Sequence, residues 1–167
     1  MTTLRIEGDG SYQPTTEDPP FARIGGVEGV TALVESFYDA MEQHEPELTA
    51  LHRLDAPGKI SRASRDHFAS FLVYWLGGPQ TYLETRGHPR LRMRHGQVAV
   101  TVAMRDAWLR SMKRAMDEKN ISGGVRAYLD HRFADVAEFL RNVEGRRAFS
   151  ARPGCSTRRA PTGCGAR

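Results

Sequence analysis

Six histidines are the side chains of this 167-residue chain best suited to chemistry near neutral pH: His44, His52, His67, His88, His95 and His131. A neutral imidazole is a common metal ligand, and it titrates close to physiological pH. Two of the six bracket a dense stretch, His88-Pro89-Arg90-Leu91-Arg92-Met93-Arg94-His95. Its three arginines are permanent cations whose forked donors suit carboxylates. Leu91 and Met93 could cover a flat apolar group. Such parts could serve a haem, which needs one histidine on iron, apolar walls, cations for its propionates and donors facing a bound ligand. Taken by themselves, the same residues also make an exposed basic loop. Tyr38 and Trp108 likewise fit either a ligand-facing role or a core position in which the hydroxyl and indole N–H find local acceptors. Phe68, Phe71 and Trp75 can equally be packing residues.

Other chemistries lack their signatures. There is no P-loop, GxGxxG, HExxH or GxSxG pattern. Cys155 and Cys164 have no CxxC spacing and no partner cysteines, which gives no zinc site and leaves two free thiols as the expectation. No apolar run approaches the ~20 residues that span a bilayer. The first twenty residues carry no basic start followed by an apolar stretch. A cytoplasmic protein without membrane association is expected.

The elements that must position these residues are helical. Val30, Leu33, Val34, Phe37, Tyr38 and Met41 recur at helical spacing between Gly25-Gly26 and Pro46. A short helical turn around Leu48, Leu51 and His52 precedes a loop at Asp55-Ala56-Pro57-Gly58. Ile60, Ser64, Phe68, Phe71, Leu72 and Trp75 share the next helical face, which Gly77-Gly78-Pro79 ends. Residues 81–86 predict a short helix, and His88-Pro89 a break. Residues 90–99 read as irregular, with one helical turn. Thr101 is placed to cap a helix carrying Trp108, Met112, Ala115 and Met116. After Ser122-Gly123-Gly124, a last helix carries Val125, Leu129, Phe133, Val136 and Leu140. No alternating strand or Asn-Gly hairpin stands out. The expectation is an all-α fold of four long helices around an irregular middle.

Charge and composition divide the chain into a flexible leader (1–20), a folded domain (21–144) and a flexible tail (145–167). The tail holds six arginines and no acid. The chain's net charge of +4 therefore leaves −2 on residues 1–144. This argues against a folded body built to grip nucleic acid. A helical nucleic-acid-binding or interaction module using residues 90–94 and the tail is the alternative reading.

Four segments together resemble the group II truncated haemoglobins: Phe37-Tyr38, Trp75-Leu76-Gly77-Gly78-Pro79, Gly87-His88-Pro89-Arg90-Leu91-Arg92-Met93-Arg94-His95 and Arg105-Asp106-Ala107-Trp108-Leu109. The resemblance spans about residues 21–143. It implies a two-over-two helical sandwich around haem b, with His95 as the metal ligand and His88 structural or near a propionate. It implies a cofactor wall of Phe68, Phe71 and Met93, with Arg92, Arg94 and His67 as candidates for the propionates. It implies a ligand pocket of Tyr38, His52, Ser64 and Trp108, in which Tyr38, His52 and Trp108 donate hydrogen bonds. His67, near the same pocket, could compete for iron. The implied ligand is dioxygen or another diatomic such as nitric oxide or carbon monoxide. The implied roles are oxygen binding or transport or redox chemistry served by a reductase, with dioxygenase or peroxidase side activity, in a monomer or homodimer.

Overall fold

Helix α2 (Gly26–His44) is the element around which the others assemble. Its whole apolar stripe, Val30, Leu33, Val34, Phe37, Tyr38 and Met41, is buried, as the spacing predicts. The computed structural model describes residues 12–143. In chain order these form α1 (Pro20–Arg23), α2, α3 (Pro46–Thr49), β1 (Leu54–Ala56), β2 (Lys59–Ile60), α4 (Arg62–Trp75), α5 (Thr81–Arg86), α6 (Leu91–His95), α7 (Val102–Glu118) and α8 (Gly123–Leu140). Helix α2 packs against both α4 and α7, and α8 packs against α7. The result is a two-over-two sandwich of the four long helices. Its core joins Leu33 and Phe37 of α2, Leu72 of α4, Met112 and Met116 of α7, and Leu129 and Phe133 of α8. Burying each such side chain is worth roughly 1.5–3 kcal/mol.

Local chemistry sets the ends of these helices. Thr101 caps α7, its hydroxyl accepting the Met104 N–H at 3.2 Å. Ser61 does the same for α4 through the Ser64 N–H, also at 3.2 Å. Each cap satisfies one of the backbone donors a helix start leaves unpaired. After α4 the chain turns at Gly77-Gly78. A Cβ on Gly78 would stand 2.7 Å from the Val73 carbonyl and 2.8 Å from the Phe21 ring. Glycine there lets α1 close on the end of α4, where the Phe21 N–H donates to Leu76 O at 3.0 Å.

Two features differ from the sequence expectation. The Asp55–Gly58 loop closes a small antiparallel ladder, β1 with β2. Strands of three and two residues are too short to show alternation, so the pattern could not reveal them. Second, residues 12–20, assigned to the leader, include a packed tyrosine. Tyr12 is buried, meets Tyr128 of α8 edge-on at 5.7 Å, and donates its hydroxyl to Asp18 O at 2.8 Å. The expected tail with Cys155 and Cys164 lies outside the described residues. No described helix is long and apolar enough to cross a membrane.

Candidate functional site

A cavity of about 710 Å³ opens between α4, α6 and the α7–α8 pair. This size suits a small molecule or cofactor. One face of α4 forms a wall: Ser64, His67, Phe68, Phe71, Leu72 and Trp75 all line it. Their spacing of three and four residues is what puts them on one side of a helix. Leu91, Arg94 and His95 of α6 lie on the cavity, with Tyr38, His52, Trp108 and Phe133 around it and Arg53 and Arg86 also in its lining.

The two key histidines are built alike. His95 Nδ1 lies 2.8 Å from the Leu91 carbonyl, and His52 Nδ1 lies 2.9 Å from the Leu48 carbonyl. A carbonyl only accepts, so each neutral ring carries its proton on Nδ1 and keeps the lone pair on Nε2. That is the tautomer in which an imidazole can bind a metal through Nε2, with the second-shell carbonyl fixing the ring. For His52 it corrects an expectation. The only N–H of the neutral ring is spent on Leu48, so toward the cavity His52 accepts. Burial pushes the His52 pKa down, the Leu48 bond works the other way, and His95 adds to the lowering. The protonated, donating form is therefore disfavoured.

Tyr38 is a different kind of group. Burial raises its pKa well above the ordinary phenol value, with Arg65 acting in the opposite direction. It stays a neutral hydroxyl and can donate. Tyr38 meets His52 edge-on at 5.7 Å and Phe68 at 5.9 Å, and Phe68 in turn meets Trp108 at 6.3 Å. One aromatic cluster therefore gathers Tyr38, His52, Phe68 and Trp108. Ser64 joins the lining, and its hydroxyl lies 2.8 Å from that of Ser61.

Arg92 and Met93 stand apart. Neither lines this cavity: the Arg92 guanidinium lies over the Phe139 ring at 5.1 Å, and Met93 is 72% exposed. The reason is helical geometry. On a one-turn helix, residues 91, 94 and 95 share a face, while 92 and 93 point elsewhere. Near the cavity's cationic side, His67 Nε2 makes long contacts with Tyr82 Oη at 3.3 Å and an Arg94 nitrogen at 3.4 Å. Burial, then the charges of Arg86 and Arg94, push the His67 pKa down. Among the described residues no cluster of three or more His, Cys, Asp or Glu is placed to hold a metal ion.

A family model for bacterial-like globins matches residues 20–142. The chain is 36% identical over 123 residues to a group 2 truncated hemoglobin of Bacillus subtilis, covering 74% of this chain and 88% of that protein. The group II truncated hemoglobin of Bacillus anthracis superposes with a TM-score of 0.69 at 33% identity, covering 76% of this chain and 98% of that one. A structure described as truncated oxygen-avid haemoglobin from Bacillus subtilis superposes with a TM-score of 0.66 at 34% identity, covering 74% and 99%. The chain belongs to the group II truncated haemoglobins. It is therefore a haem-based binder of small ligands, and the nucleic-acid alternative has no support.

In this truncated haemoglobin the pocket rests on a residue the sequence did not single out. Arg65 of α4 is buried and reaches Glu35 at 2.7 Å, Glu42 at 2.8 Å and Asp39 at 2.9 Å, all on α2. Its guanidinium also lies 5.5 Å from the Tyr38 ring centroid. Burial alone would lower the Arg65 pKa, but the bonds from Glu42, Glu35 and Asp39 outweigh it and hold the group charged. Burial likewise works to raise Glu42, and hydrogen bonds from Lys59, Arg65 and the Ile60 N–H outweigh it, leaving its pKa below the ordinary value. Arg62 bonds Glu35 beside this cluster. The only sequence signal was a row of acids on the polar side of α2, which reads equally well as a solvated face. Tyr82, Arg53 and Arg86 were missed for a similar reason: they come from short segments without a clear period.

Proposed function

We propose that the chain binds haem b through His95 as a five-coordinate centre and holds dioxygen, or another diatomic such as nitric oxide or carbon monoxide, beside Tyr38 and Trp108. The observation that carries this reading is His95, a cavity-lining imidazole whose Nδ1 proton is committed to Leu91 and whose Nε2 lone pair is free. The residues around it fit the group. Phe68, Phe71, Leu72, Trp75, Leu91 and Phe133 supply apolar walls, and Arg94, Arg86 and Arg53 supply cations for two propionates. Arg92 and Met93 are not assigned to the cofactor. When bound, haem supplies an iron that takes a diatomic ligand on its open face.

The chain's own part is to hold donors and exclude water. Tyr38 keeps its proton and donates from a buried position. The Trp108 indole N–H can only donate. His52, with its one proton spent on Leu48, accepts from a neighbouring hydroxyl and donates nothing to a diatomic ligand. Each hydrogen bond in such a site is worth about 1–1.5 kcal/mol, close to ten-fold in the rate at which a ligand leaves. Two donors favour tight binding, in keeping with the description of the Bacillus subtilis relative as oxygen-avid. Slow release suits sensing or redox turnover better than bulk delivery, and turnover requires a reductase. The setting we assign is cytoplasmic, as a monomer or homodimer.

The test is a titration of haem into the apoprotein, followed by spectra in the ferric, ferrous and ferrous carbon monoxide forms. A stoichiometric Soret band that shifts on carbon monoxide is expected. Absence of a Soret band after haem addition overturns the reading.

A further inference from the structure

We infer that Asn142, just beyond α8, is the positioning residue for His95. The helix that carries His95 has little else to hold it. Helix α6 has five residues, starts from Arg90 in the left-handed region (φ 45°), has no side-chain cap and buries none of its residues. Packing alone therefore does not fix where the imidazole stands.

Asn142 supplies the missing anchor with both ends of its side-chain amide and its backbone N–H. Its Nδ2 donates to the His95 carbonyl at 3.0 Å and to the Val98 carbonyl at 2.9 Å. Its Oδ1 accepts the Val100 N–H at 2.9 Å, and its backbone N–H donates to Val100 O at 3.1 Å. The His95 carbonyl also accepts the Val98 N–H at 3.0 Å. The tight turn after α6 is thus pinned at both ends by one side chain just beyond α8. An amide suits this site because two carbonyls require two N–H donors while one N–H requires an acceptor, and a carboxamide offers both. These bonds are exposed, so each contributes toward the lower end of the usual range.

The inference rests on His95 as the haem ligand, and its test separates the two. Backbone amide exchange in the apoprotein reads the clamp without haem. In Asn142→Ala, the Val98 and Val100 amides should exchange about ten-fold faster than in the parent, while amides in the middle of α2 stay unchanged. In the haem-loaded protein, the same variant should shift or broaden the iron–histidine stretching band and speed haem loss. Asn142→Asp retains the acceptor for Val100 and loses both donors. It should keep Val100 protected yet still disturb the iron–histidine band, and it covers the case in which the alanine variant fails to fold. Unchanged Val98 and Val100 exchange together with an unchanged iron–histidine band would overturn the inference. Faster exchange in a protein that never takes up haem would instead count against the haem reading.

Discussion

The two walls of the cavity are held in opposite ways. The Tyr38 side is set by the core and by charge. Tyr38 belongs to the buried stripe of α2, and Arg65 ties α4 to three carboxylates of that same helix. The His95 side has almost no core. Helix α6 buries nothing, and the cavity-lining Arg53, Arg86 and Arg94 form no ion pair among the described residues. The cations near the cavity are unmatched, whereas Arg65 on the other wall is saturated. One wall is thus preorganised by folding, while the other leaves its cations unpaired, as the proposed binding of haem propionates requires. Breaking the Arg65 ion cluster behind the first wall should change stability, and removing the cations of the second should change cofactor binding.

The largest effect should come from Arg65→Met. Glu42, whose side chain is only 5% exposed, would keep Lys59 but lose its buried partner. A loss of roughly 2–4 kcal/mol in apoprotein stability is expected from urea unfolding, since removing one partner strands the other charge. An unaltered midpoint would break the contrast between the walls. Next is Tyr38→Phe, which removes the donor but keeps the ring. Ligand dissociation should speed about ten-fold by stopped-flow, with stability within about 1 kcal/mol of the parent.

A smaller effect concerns pH. His52 has a depressed pKa when folded, so the unfolded chain takes up that proton first. Its contribution is fully present above the ordinary value of 6.5 and is lost as pH falls toward the folded value. Replacing it by His52→Phe should flatten the acid side of the apoprotein stability curve below that point, by at most about 1.4 kcal/mol per pH unit. Urea midpoints across pH 5–7 check the sign, with pH 5–7 spanning roughly the ordinary imidazole range. The smallest effect should be that of Met93→Ala. An exposed side chain off the cavity predicts unchanged haem affinity and a stability change under ~0.5 kcal/mol.

How far the sequence carried follows from period length. The stripe from Val30 to Met41 spans several turns, and every member is buried. The cap at Thr101 was legible because a threonine preceded a helical run. The face of α4 that meets the cavity was largely legible too, in Ser64, Phe68, Phe71, Leu72 and Trp75. The five residues of α6 offered no period to read. Arg92 and Met93 were grouped with His95 by proximity in the chain, and one helical turn separated them. Arg65 was hidden because a buried arginine looks like a surface one until its carboxylates are located across the fold. The proton position on His52 depends on a carbonyl four residues back, which no residue type announces. Asn142 lies 47 positions from the His95 carbonyl it holds, and only the fold brings them together.

We propose His95 as the residue that holds the haem. The most direct measurement compares ferrous and ferrous carbon monoxide spectra of the parent with those of His95→Gly, each reconstituted with haem, with and without added imidazole. The variant should lose the five-coordinate ferrous spectrum and recover it when imidazole fills the space. A His95→Gly protein whose spectra match the parent's without imidazole would contradict it.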